Sequence, residues 1–282
     1  MKICKTCGKE LYDETQICDG CGNIPDISPE QLNPDEQPKK KKKKSMGIIS
    51  TILILIVARL VGGFLGEKMA TSMNDSATTN QLDTFIEQVT SEYTAGTLTD
   101  TGYSSQYFGF DFKTDDNWVM YDKNDIQAAS EQSQKAALES GINALKEENV
   151  PEKYIDKWKQ TVIFNVEMMA SYEQDDIVAG ESIVIAYTAY GVEDMAKDEI
   201  SSLMISKAGF SEDAVQNVGT VKIAGIQFEH TKASVVVEDD EIINNILIGK
   251  KDNVICMILN RAVKGYEDDV YESFLNNISS KE

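Results

Sequence analysis

Residues 47–66 read GIISTILILIVARLVGGFLG, twenty positions with a single charge, Arg59. As a helix this stretch is about 30 Å long, the thickness of a hydrocarbon core. A core helix of a globular protein carries a polar face, and Ile48 to Val57 offers only Ser50 and Thr51. A cleavable signal peptide does not follow a 46-residue leader that contains its own cysteine unit. The sequence therefore predicts a single transmembrane helix over 47–66 and a chain divided between two compartments.

Orientation follows from the flanks. Six consecutive lysines, Lys39 to Lys44, precede the apolar run, whereas Glu67, Lys68 and Asp75 follow it. Lysine-rich flanks stay on the cytoplasmic side, so the N-terminus is expected inside and the remainder extracytoplasmic. The charge is divided the same way. Residues 1–66 hold ten Lys or Arg and eight Asp or Glu, a sum of +2, while the other 216 hold 17 against 39, a sum of −22. A body that acidic repels nucleic acid and anionic headgroups, so no nucleic-acid partner is expected for it.

Four of the five cysteines lie in the first 21 residues, as Cys4-x2-Cys7 and Cys18-x2-Cys21. Gly8 and Gly22 follow the two pairs and permit the tight turns in which amides bond to sulfur. Four thiolates complete a tetrahedral zinc shell with no position left open for a substrate, so the metal is structural. A redox dithiol needs only one such pair. The segment MKICKTCGKELYDETQICDGCG closely resembles the short zinc ribbon at the N-terminus of many bacterial membrane proteins. That resemblance implies structural zinc on Cys4, Cys7, Cys18 and Cys21, and a role in contacts rather than in catalysis.

The rest of the chain divides by composition. Residues 1–22 form the cysteine unit. Residues 23–46 are a linker with Pro25, Pro29, Pro34, Pro38 and the lysine run. Residues 67–80 form a polar tether, and 81–282 an extracytoplasmic α+β domain.

Within that domain Leu82, Phe85, Ile86 and Val89 have helical spacing over 81–93. Phe108, Phe110 and Phe112 alternate with polar positions over 107–113, which predicts a strand. A turn at 114–117 then leads to a second strand at 118–121, read as a hairpin. A helix is predicted over 124–148, with Ile126, Ala129, Leu138, Ile142 and Leu145 inward and Pro151 beyond its end. Strands are expected over 161–172 and 182–190 around an acidic turn at Asp175, Asp176 and Gly180. A helix follows over 192–208, then strands near 218–224, 226–237, 241–249 and 253–260. A final helix over 266–278 buries Val270, Phe274, Leu275 and Ile278. The sum is a largely antiparallel sheet packed with helices. The segment YFGFDFKTDDNW and the order of elements after it are similar to the PsbP-like α/β/α domains, a family mostly of binding or assembly modules.

Few residues offer chemistry. Arg59, Gly62 and Gly66 fall on one helical stripe of the apolar run. A Gly-x-x-x-Gly pair lets two helices approach closely, which suggests a protein partner in the membrane or a homodimer. Arg59 in the outer half can instead snorkel to the surface. His230, the only histidine, shares a strand face with Ile226 and Phe228 and reads as structural, with Glu229 turned away. Cys256 lies on an interior strand, where a thiol behaves as a small hydrophobe. The acidic groups at 175–176, 238–241 and 267–269 contain no calcium-loop pattern and read as solvated surface. No phosphate-binding, dinucleotide, nucleophile-elbow or His-Glu-x-x-His motif is present. The resulting expectation is a membrane-anchored, non-catalytic binding or assembly module with a structural zinc and no catalytic residues. The competing readings are an extracytoplasmic enzyme whose carboxylates converge on folding, and a scaffold acting through its transmembrane helix.

Overall fold

The computed structural model describes residues 2–3, 10–11, 46–74, 93–159, 164–174, 177–188, 202, 210–237 and 239–281. The chain divides into two compact units, Met1–Lys43 and Lys44–Glu282. In the first, β1 (Lys2–Ile3) pairs antiparallel with β2 (Glu10–Leu11), in the register Lys2↔Leu11 and Ile3↔Glu10. The expected zinc ligands Cys4, Cys7, Cys18 and Cys21 lie outside the described residues.

The second unit is a mixed α+β fold whose sheets are antiparallel throughout. A seven-stranded sheet has the order β6 (Trp118–Met120), β7 (Asn165–Gln174), β8 (Ile177–Thr188), β12 (Val254–Val263), β11 (Asp240–Lys251), β10 (Ile226–Val237), β9 (Val215–Ile223). A four-stranded sheet has the order β13 (Ile278–Ser280), β5 (Phe110–Lys113), β4 (Gly102–Ser105), β3 (Thr97–Thr99). The four sequence-predicted strands between 218 and 260 are present, β10 with the predicted bounds and the other three longer than their patterns by two or three residues. Inside the seven-stranded sheet, β8 and β12 are apolar on both faces because both faces are covered.

On one face Ile183, Ile185, Ile255, Met257 and Leu259 form a core with Ile126 and Leu145 of α2 (Lys123–Glu147) and Trp158 of α3 (Glu152–Trp158). On the other, Met168, Val184, Cys256 and Ile258 meet Tyr103, Phe110 and Phe112 of the small sheet and Val270 and Phe274 of α4 (Glu267–Asn276). The layers are therefore helices, large sheet, then small sheet with one helix.

The hairpin expected over 107–121 is not formed. β5 pairs with β4 and β13, whereas β6 pairs with β7 in the other sheet. Both edges of β5 are already occupied, so the chain after Lys113 must leave its sheet. An Asx turn carries it across, with Asn117 N–H donating to Asp115 Oδ1 at 2.8 Å. Trp118 then bridges the layers, packing edge-on to Phe112 and donating from Nε1 to Ser273 Oγ at 2.9 Å. The strand itself begins only at Phe110, because Gly109 has φ +77°. Gly180, expected in a turn, lies inside β8, and Ile278, expected at the end of a helix, lies in β13.

α2 matches its pattern closely, with Asp122 as N-cap accepting from Asn124 N–H. After it the chain turns at Asn149 (φ 57°) and continues as α3, which the sequence reading lacked. The helices expected over 81–93 and 192–208 fall outside the described residues except at 93 and 202.

The apolar run forms α1 (Met46–Asn74). Its side chains are described at 54–67, 69 and 70, and among the described residues no helix is long and apolar enough to cross a membrane. Ile54, Val57, Ala58, Val61, Leu65, Met69 and Ala70 are buried. A Cβ built on Gly62 would stand 1.9 Å from Ala137 O, and one on Gly66 2.6 Å from Gly141 O. Gly62 and Gly66 therefore lie flush against α2, the two helices running in the same direction. Arg59, expected on that stripe, is exposed.

Candidate functional site

Three groups of polar side chains sit within the second unit, and only one of them had been singled out from sequence. The first surrounds Glu167. The pairing of β7 with β8 slips between Val166 and Met168, so Glu167 is the extra residue of a β-bulge. The bulge re-aims its carboxylate into the core between the sheets. There it accepts from the hydroxyls of Tyr93 and Tyr103, from Gly96 N–H at 3.2 Å, and from Asn165 Nδ2 at 3.2 Å. Burial pushes this carboxyl up to about 7, opposed by the Gly96 N–H. The same burial pushes the Cys256 thiol far up, with Glu167 adding to it.

The second group lies on the opposite sheet face. Glu181 of β8 and Arg261 of β12 are directly paired across the strands, with Nε to Oε2 at 3.5 Å. Burial pushes Glu181 up to about 7 although Arg261 pulls the other way. Tyr121, at the start of α2, is pushed up by burial and by Glu181. Among the described residues the guanidinium nitrogens of Arg261 have the ion pair with Glu181 but no hydrogen-bond partner.

The third group contains His230. Ser182, Asn260 and Asn245 lie on successive strands in direct register and face α4. Asn260 Nδ2 donates to Ser182 Oγ at 2.7 Å. His230 Nε2 stands 2.9 Å from Asn245 Oδ1, and Tyr271 stacks on the ring with its hydroxyl 3.4 Å from Nδ1. A neutral imidazole fits this arrangement, donating from Nε2 and accepting at Nδ1. Burial pulls its pKa down, which keeps it neutral. His230 is thus buried and paired, and Cys256 is fully buried on an interior strand as its pattern indicated.

These groups do not converge on a common point. Glu181 and Arg261 are 0% and 1% exposed, Cys256 0%, Glu167 4% and His230 5%. All five are therefore buried, with Glu167 and His230 keeping the most contact with solvent. The surface acidic groups are spread out. Asp268 pairs with Lys232 at 2.9 Å and Glu241 with Lys264 at 2.7 Å, while 175, 176 and 238 lie outside the described residues. Among the described residues no cluster of three His, Cys, Asp or Glu side chains could hold a metal ion.

No family model matches the chain, and no curated protein matches it. Solved structures do. A protein from Bacteroides thetaiotaomicron aligns with 66% of this chain and 50% of its own at 10% identity and a TM-score of 0.35. LpqN, described as involved in cell envelope biogenesis of Mycobacterium tuberculosis, aligns over 61% and 83% at 8% identity and a TM-score of 0.32. Cyanobacterial PsbP from Synechocystis aligns over 67% and 97% at 10% identity and a TM-score of 0.36. The chain thus spans half the length of the first of these.

Glu167, Glu181 and Arg261 were missed from sequence. The only available signal was a charged residue inside an apolar strand pattern, as at Val166-Glu167-Met168 and Leu259-Asn260-Arg261.

Proposed function

We propose that this chain is a single-pass, membrane-anchored, non-catalytic binding or assembly module. Its zinc ribbon is cytoplasmic and its acidic domain extracytoplasmic. The observation that supports the non-catalytic part is that Glu167, Glu181, His230, Cys256 and Arg261 are all buried and do not converge on a common point. The anchor rests on the twenty-residue apolar run and the lysines before it.

The donor set at the N-terminus fits zinc. Four thiols in two matched pairs satisfy a closed tetrahedral shell, and the segment carrying Cys4 and Cys7 joins the paired strands β1 and β2. When bound, zinc there supplies cross-linking of a unit too small to hold a core of its own.

Thiol reactivity tests this burial. In the detergent-solubilised full chain, Cys256 is expected to resist a small alkylating reagent until denaturant unfolds the domain. Rapid modification of Cys256 in the folded chain, mapped by mass spectrometry, would reveal a route to the interior and favour the enzyme reading.

A further inference from the structure

A row of polar side chains crosses the large sheet close to the end of β12. Ser171, Glu181, Arg261 and Asn244 lie in direct register on β7, β8, β12 and β11, on the face that carries Ile183 and Leu259. Ser171 donates to Val119 O at 3.4 Å and Asn244 Nδ2 to Ala233 O at 3.2 Å, so both are turned to the backbone of neighbouring strands. Arg261 is not. It is 1% exposed and faces Glu181 through Nε at 3.5 Å, and its Nη1 and Nη2 have no hydrogen-bond partner among the described residues.

A buried guanidinium with unmet donors is costly. Its two terminal nitrogens form a planar fork that matches the two oxygens of a carboxylate. The strand ends two residues beyond Arg261, at Val263, so the fork lies near the rim of the sheet. Tyr121 is half-buried and hydrogen-bonds to Glu181, with its own N–H fixed to Met169 O at 3.0 Å. It therefore links the buried pair to the surface.

We propose that Arg261 is the seat of a small monocarboxylate, held by the Nη1–Nη2 fork and admitted past Tyr121. This adds a ligand to the binding module described above and does not depend on its anchor. Charge balance sets the terms of binding. Arg261 and Glu181 already neutralise each other, and a second anion in the same buried space is repelled by the Glu181 carboxylate. The ligand therefore enters together with one proton, which goes to Glu181. Burial already lifts that carboxyl to about 7 against the pull of Arg261. Tyr121 is the other titratable group acting on the pair, and Asp125 acts on Tyr121. Arg59 and Glu67, the charged residues of α1 whose side chains are described, are exposed.

Acetate is the probe. Saturation-transfer NMR on the detergent-solubilised full chain is expected to give a saturable acetate signal at pH 6. The dissociation constant is expected to be about tenfold weaker at pH 8, as Glu181 loses its proton. Glu181→Gln keeps the fork and removes the competing charge, so it is expected to bind acetate equally at both pH values. Arg261→Met is expected to abolish the signal; should that variant fail to fold, the pH comparison decides. No saturable signal from the unsubstituted chain at pH 6 would mean that water meets the two nitrogens, and overturns the proposal. Equal affinity at pH 6 and pH 8 in the unsubstituted chain overturns it too, as does unchanged binding by a folded Arg261→Met chain. All of these are read in solubilised chain, so their failure leaves the membrane anchor standing.

Discussion

Glu167 shows how a single bulge can place a charge-capable group where the strand pattern would put an apolar one. Four donors surround its carboxylate, but burial outweighs them and raises the folded-state value to about 7 from an ordinary 4.5. The folded domain therefore holds this proton more tightly than the unfolded chain does. Its stabilising effect is complete below about 4.5 and is lost as pH rises through about 7, a change of roughly 3 kcal/mol. Glu181 is raised likewise and adds to the same slope. Urea midpoints of the solubilised chain are thus expected to fall from pH 4.5 to 7.5, and Glu167→Gln to flatten that fall. Gln also brings an amide donor into a pocket of donors, which is expected to cost about 1–3 kcal/mol at pH 5. A midpoint that rises over this range would contradict the assignment.

At the scale of elements, packing between layers decides which residues tolerate change. Gly180 of β8 lies under α4, and a Cβ there would sit 2.6 Å from Val270 Cγ1 and 2.8 Å from Arg261 O. Gly180→Ala is expected to destabilise by about 1–3 kcal/mol, lowering the urea midpoint with an unchanged slope. The long elements were legible in sequence because their periods are local: α2 from its 3.6-residue spacing, and β10 to β12 from alternation and turn residues. The partnership of β5 and β6 was not legible. Proximity in sequence suggested a hairpin, but pairing is decided by which edges are free, and β13 at the far end of the chain takes the edge of β5. The buried carboxylates were hidden for a similar reason. A Glu in a strand reads as solvent-facing by default, but both faces of β7 and β8 are covered by other layers, which their own sequence does not show. The apolar run was legible as a helix, whereas its packing against α2 could not be read from spacing alone.

At the scale of the whole molecule, the anchor is energetically modest. Twelve Ile, Leu, Val and Phe residues in 47–66 favour insertion by roughly 4–7 kcal/mol in total, and Arg59 takes back roughly 2.5–3.5 of that. The ribbon is independent of this balance. About one zinc per chain is expected by atomic spectroscopy, lost in Cys18→Ser, with no change in the unfolding of the 44–282 unit. Metal retained by Cys18→Ser would rule out the four-cysteine shell.

The separation of the two ends by a bilayer is tested most directly by a surface thiol. Val236 is 69% exposed on β10, so Val236→Cys in the full chain offers an accessible reporter on the acidic domain. A membrane-impermeant maleimide added to intact cells is expected to label Cys introduced at 236 and to leave the N-terminal cysteines unlabelled until lysis. Labelling at 236 only after lysis, in chain that sediments with the membrane, would contradict the account.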